Sequence, residues 1–135
     1  MINLLKKLFP PKEIKEALGM LEEAEREFSS KDFNLVKGHI EKILRSHPDK
    51  FVEIIKRGET PRQWIYSTIS NIAGDLVESG NYHIYRGVIN PMGPGNELLK
   101  IYNKAIDKLV EMKVLDNERA EKEKSALQEN IKNVG

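Results

Sequence analysis

The sequence predicts an all-α fold, built as an array of antiparallel helical hairpins or as an irregular helical bundle. Three observations carry that expectation. Apolar residues recur at helical spacing over most of the chain. No window of alternating apolar and polar residues is long enough to compel a strand. Three stretches also share one grammar: a helix-forming run, a tight polar or Gly turn, an aromatic or aliphatic residue, then a second run. They are FSSKDFNLVKGHI (28–40), VESGNYHIYRGVI (77–89) and VEMKVLDNERAEK (110–122). Each reads as a helical hairpin, the unit of α-helical repeat proteins.

The elements follow in order. Residues 1–9 form an apolar N-terminal segment with Ile2, Leu4, Leu5, Leu8, Phe9 and two lysines; residues 10–135 form one helical domain. The segment lacks a small-residue cleavage site and does not read as a signal peptide. It is expected to dock on a hairpin face, in its own chain or in a second copy as a homodimer contact. A membrane or partner role for it stays open. Pro11 suits the first turn of a helix running to about Phe28, with Leu18, Leu21, Ala24 and Phe28 at helical spacing. Ser29-Ser30 can cap the next helix, which carries Phe33, Val36, Ile40, Ile43 and Leu44. Pro48 ends it. A short helix with Phe51, Val52, Ile54 and Ile55 closes at Gly58.

Thr60-Pro61-Arg62-Gln63 is the cleanest local signal. Thr is a good N-cap, Pro suits the first helical position, and Gln three residues on completes a capping box. The helix it opens runs to about Glu78, with Ile65, Ile69, Ile72 and Leu76 as core stripe, widened by Tyr66, Ala73 and Val77. Residues 82–89 are expected to be a short second arm, followed by a loop over 91–95. Asn96 should cap a long helix with Leu98, Tyr102, Ala105, Leu109 and Met112. Asp116 or Asn117 should start the last one, whose narrow stripe is Ala120, Leu127, Ile131 and Val134.

On the first hairpin Ala24 stands at a small position and Asp32-Phe33 follows the turn. Val36, Ile40 and Ile43 run along the second helix, and Pro48 lies fifteen residues after Phe33. In this pattern residues 17–50 resemble a tetratricopeptide repeat. Residues 66–99 match it less well, through Ile72-Ala73, Gly80-Asn81-Tyr82, Tyr85 and Ile89, with Pro91 cutting the unit short. Residues 99–132 keep the hairpin spacing but lack the small residues after the turn. The resemblance implies a non-enzymatic protein-interaction module. Its first helices would line a concave groove, with Ser67, Ser70, Lys100, Asn103 and Asp107 toward it.

The bulk chemistry narrows function further. Lys+Arg number 22 and Asp+Glu 21, and the balance holds locally, at 10 against 9, 5 against 5 and 7 against 7 in residues 1–50, 51–100 and 101–135. A nucleic-acid reader shows a basic excess on one element, so nucleic acid is not the expected partner. The chain has no cysteine, which excludes disulfides and thiolate chemistry and fits a cytoplasmic, reducing compartment. No apolar run reaches the roughly 18 residues that span a bilayer. His39, His47 and His83 include no pair at the i, i+4 spacing of a helical metal site, so no metal and no cofactor is expected.

No nucleophile elbow, phosphate loop or paired catalytic carboxylates can be read, so the chain is not expected to be an enzyme. Tyr82, His83, Tyr85 and Arg86 form the densest cluster of binding side chains. Arg86 could fork onto a carboxylate or phosphate between tyrosine walls; alternatively the tyrosines are hairpin core. Trp64 falls off the Ile65–Leu76 stripe, and either packs under the preceding short helix or anchors an interface. The leading expectation is therefore another protein or peptide as partner. A small-molecule or enzymatic site near His83, Tyr85 and Arg86, and a small regulatory or immunity-type protein, are the alternatives.

Overall fold

The computed structural model describes residues 12–30, 32–78, 84–85, 88–89 and 95–134, with side chains described over 12–30, 32–78 and 98–129. The N-terminal segment 1–9 lies outside these residues. The fold is all-α. Six helices are described: α1 (Lys12–Phe28), α2 (Phe33–Ser46), α3 (Pro48–Lys56), α4 (Pro61–Glu78), α5 (Gly95–Glu111) and α6 (Asn117–Val134).

Ile84–Tyr85 and Val88–Ile89 depart from the expected second arm. Ile84–Tyr85 (β1) pairs antiparallel with Val88–Ile89 (β2), in the register Ile84↔Ile89 and Tyr85↔Val88. Aromatic and β-branched residues favour extended backbone, and Pro91 leaves too few residues for a helix of useful length.

The helix ends follow local chemistry. Thr60 Oγ1 accepts the Gln63 N–H at 3.1 Å, so the expected cap opens α4. Asp116 Oδ1 accepts the Arg119 N–H at 2.7 Å and caps α6 in the same way. At α2 the N-cap position falls to Asp32, whose side chain makes no capping bond. Ser30 acts one step earlier, its hydroxyl accepting the Asp32 N–H at 3.3 Å and its carbonyl the Phe33 N–H at 3.2 Å. Pro48 both stops α2 and occupies the first position of α3, where its missing N–H costs nothing. Gly58, at φ +113°, takes the left-handed residue after α3. Lys113 does the same after α5, at φ 62°. Its N–H donates to the Val110 carbonyl at 2.9 Å, and the next N–H, of Val114, donates to the Leu109 carbonyl at 2.9 Å. That pair of bonds is a Schellman motif with Lys113 where glycine is preferred.

α4 lies at the centre and touches α1, α2, α5 and α6. That position explains its buried set: Ile65, Tyr66, Ile69, Ser70, Ala73 and Val77, with Ile72 and Leu76 only partly buried at its flanks. Its broadest interface is with α5. Gly74, late in α4, lies against the Tyr102 ring, so close that a Cβ there would stand 3.3 Å from it. Tyr66, early in α4, and Lys108, late in α5, meet at one carboxylate, that of Glu27. The two helices therefore run in opposite directions. Leu98, Ile101, Ala105, Ile106 and Leu109 of α5 complete this core, joined from α1 and α2 by Ile14, Leu21, Ala24, Phe33, Val36, Ile40 and Leu44. Burying a side chain such as Phe33 contributes roughly 1.5–3 kcal/mol. Ile43, expected on that face, is 37% exposed instead.

Candidate functional site

Of the residues expected to bind a partner, Trp64, Ser67, Ser70, Lys100, Asn103 and Asp107 have described side chains. Trp64 is half-buried under α3, its ring edge-on to Phe51 at 4.8 Å and 73°, so packing is the alternative it takes. Ser70 is only 4% exposed and donates its hydroxyl to the Ser67 carbonyl at 2.7 Å. A serine that returns its proton to its own helix can be buried cheaply and lines no surface. Ser67 is half-buried and Lys100 exposed. Tyr82, His83 and Arg86 lie outside the described residues, as does the Tyr85 side chain; Tyr85 is placed only through its ladder with Val88.

Asn103 and Asp107 each lie at the junction of α5 and α6, beside Lys124. Asp107 Oδ1 pairs with Lys124 Nζ at 2.5 Å, and Lys124 also reaches Glu121 at 3.8 Å. Asn103, Glu121, Lys124, Ser125, Gln128 and Glu129 line an open depression of about 430 Å³. Its one lysine is already held by two carboxylates. Among the described residues no group of three or more His, Asp or Glu could hold a metal ion, and no helix is long and apolar enough to cross a membrane.

A second cluster sits at the C-terminal end of α1. Glu27 Oε2 accepts the Tyr66 hydroxyl at 2.9 Å, and Oε1 contacts Lys108. Lys104 donates to the Glu27 carbonyl at 2.7 Å, where it answers an unsatisfied helix-end oxygen. Lys104 also lies 5.1 Å from the centre of the Phe28 ring, and Phe28 stacks on Phe33 at 5.2 Å. The Lys108 ammonium holds the Glu27 carboxyl below its ordinary range. Burial, reinforced by the Glu27 carboxylate, pushes the Tyr66 phenol up to about 12. Every charge here has a partner inside the cluster, so it works as a clasp between α1, α4 and α5.

The surface that sequence reading missed is the outer face of α2. Leu35 is 52% and Ile43 37% exposed, the two large hydrophobic side chains that stand out to solvent among the described residues. With exposed His39 between them they form a ridge at i, i+4 and i+8. The signal was present in the spacing. That signal covers Leu35, which falls opposite the inward stripe of Phe33, Val36 and Ile40; Ile43 and Leu44 flank the stripe about equally, and packing decides between them.

No protein-family model, curated protein or solved structure matches this chain at significance.

Proposed function

We propose that this chain is a non-enzymatic helical module that acts by binding another protein, through the outer face of α2. The observation that carries it is the exposed Leu35–His39–Ile43 ridge. Scattered surface leucines are ordinary, but Leu35 and Ile43 are aligned on one otherwise polar face of a helix, which favours an interface. Balanced charge and the lack of cysteine favour a cytoplasmic protein partner over nucleic acid. The tetratricopeptide-like reading of residues 17–50 supports an interaction role in general, but it would place the binding face on the first helix of that hairpin, α1, and not on α2. The test is a photo-crosslinking amino acid at position 39, compared with one at exposed position 122 on α6, in the native cell. The expected result is an adduct with one discrete protein from position 39 alone, lost with Leu35→Asp. Equal labelling from both positions, or none, ends the proposal.

A further inference from the structure

The same face carries a chemical preference, and this inference rests on the docking role proposed above. α2 has a single acid, Glu41, and it is turned to Lys37 at 4.0 Å and Arg45 at 3.3 Å. The exposed positions around the ridge are Asn34, Gly38, His39, Lys42, Arg45 and Ser46. None is acidic. Lys42 has no ion-pair partner among the described residues, and the Arg45 side chain is 70% exposed although it touches Glu41. The outer face of α2 is therefore apolar along one row and cationic beside it, in a chain whose overall charge is close to balanced.

Gly38 supplies the third element. It lies on the row next to the ridge, one turn from both Leu35 and Lys42. A Cβ built there meets nothing within 4 Å. No neighbour among the described residues requires the position to be bare. A glycine inside a helix costs about 0.5–1 kcal/mol relative to alanine, so fold stability gives no reason for it. What a bare position on an exposed face provides is close approach by another backbone, with the Leu35 ridge beside it and Lys42 one turn further along its own row.

We infer that α2 docks an acidic amphipathic helix of a partner protein, its apolar residues against Leu35 and Ile43, its backbone over Gly38 and its carboxylates toward Lys42 and Arg45. Leu35 and Ile43 are eight residues apart, about 12 Å along the axis, so the partner segment needs at least two to three turns. Helix-on-helix-face recognition of this kind reads apolar anchors at i, i+3/i+4 and i+7 spacing, with charge at the rim setting orientation and partner choice.

The experiment uses the full chain and two synthetic amphipathic helices of equal length with the same leucine stripe. One carries glutamates beside the stripe and the other lysines. Anisotropy of labelled peptide gives affinity, and amide shifts of the isotope-labelled protein give location. The glutamate peptide should bind at least tenfold tighter than the lysine peptide, more weakly as salt rises, and with shifts at Leu35, Gly38, His39, Lys42 and Ile43. Lys42→Glu and Gly38→Glu should each weaken it at least tenfold without lowering the melting temperature, because both sites are open to solvent and glutamate favours a helix over glycine. Gly19→Glu, on the exposed face of α1 and equally uncrowded, should leave binding unchanged.

Equal or reversed peptide preference overturns the inference. So does binding to phosphatidylserine vesicles in place of the glutamate peptide, or a concentration-dependent dimer that Leu35→Asp dissolves. If position 39 still crosslinks a discrete protein, docking stands and only the acidic partner is wrong. If crosslinking fails as well, the docking role itself falls.

Discussion

Glu27 of α1 binds Lys108 of α5 through one carboxylate oxygen and receives the Tyr66 hydroxyl of α4 through the other. One side chain thus fixes the angle between three helices that are distant in sequence. Glu27→Gln keeps the shape and removes the charge. It should cost about 1–2 kcal/mol, since it weakens a charge-assisted hydrogen bond and a half-buried ion pair together. The sign with pH follows from the carboxyl being held below its ordinary range. The stabilisation is present above the unfolded-state pKa and is lost as pH falls through the lower folded value. Urea unfolding of wild type and variant should therefore differ at pH 7 and converge under acid. A constant difference down to strongly acidic pH would remove the clasp from the account.

Tyr66 gives an alkaline counterpart. Its phenol is pushed up to about 12, chiefly by burial and then by the Glu27 carboxylate. For a group whose folded pKa is raised, stability is fully present below the unfolded value, near 10, and is lost as pH rises through the folded one. Phenolate absorbance should show a late-titrating component that disappears in Tyr66→Phe. If the late component survives that substitution, it belongs to another tyrosine. Tyr102 is the rival, since burial raises its phenol too.

Much of this fold is legible because short-range chemistry decides it. Thr60-Pro61 announces α4, Pro48 marks the α2–α3 corner, and Asp116 opens α6, each by bonds within four residues. What escapes is what depends on competition or distance. Ile40 is followed by both Ile43 and Leu44, and only the packing of α1 and α4 decides that Leu44 goes inside. Ile84–Tyr85 and Val88–Ile89 are too short for either period to show, and pairing with each other settles them as strands. The polar junction of Asn103, Asp107 and Lys124 exists because α6 folds back on α5, which no local pattern states. Ser70 looks like a groove residue until its hydroxyl is seen to close on its own helix.

Lys113 sits in the left-handed region at the end of α5, in a motif whose hydrogen bonds are fully formed. A non-glycine residue there carries a Cβ clash worth roughly 1–2 kcal/mol, part of which glycine returns as unfolded-state entropy. Lys113→Gly should stabilise the protein by about 0.5–1 kcal/mol. Lys113→Val should destabilise it, because β-branching makes that conformation costlier still. Thermal unfolding that ranks valine above glycine would contradict the assigned backbone.

Gly38 and Gly74 both lie inside helices, and the same substitution should act oppositely at the two sites. At Gly38 a methyl group meets open space, so Gly38→Ala gains helix propensity of about 0.5–1 kcal/mol with no steric cost. At Gly74 the new Cβ meets Tyr102 Cε2 at 3.3 Å and Cδ2 at 3.4 Å. That ring is 9% exposed, and its hydroxyl makes a long contact, 3.4 Å, with the Glu123 carbonyl on α6. It has little room to retreat without parting α5 from α6. Gly74→Ala should therefore melt at or below the wild-type temperature, while Gly74→Leu overpacks the α4–α5 seam and costs about 1–3 kcal/mol. Gly38→Ala should melt ~2–5 °C above wild type. A Gly74→Leu protein that melts like wild type would mean that Tyr102 does not rest on α4, and the antiparallel pairing of α4 with α5 would lose one of its two supports.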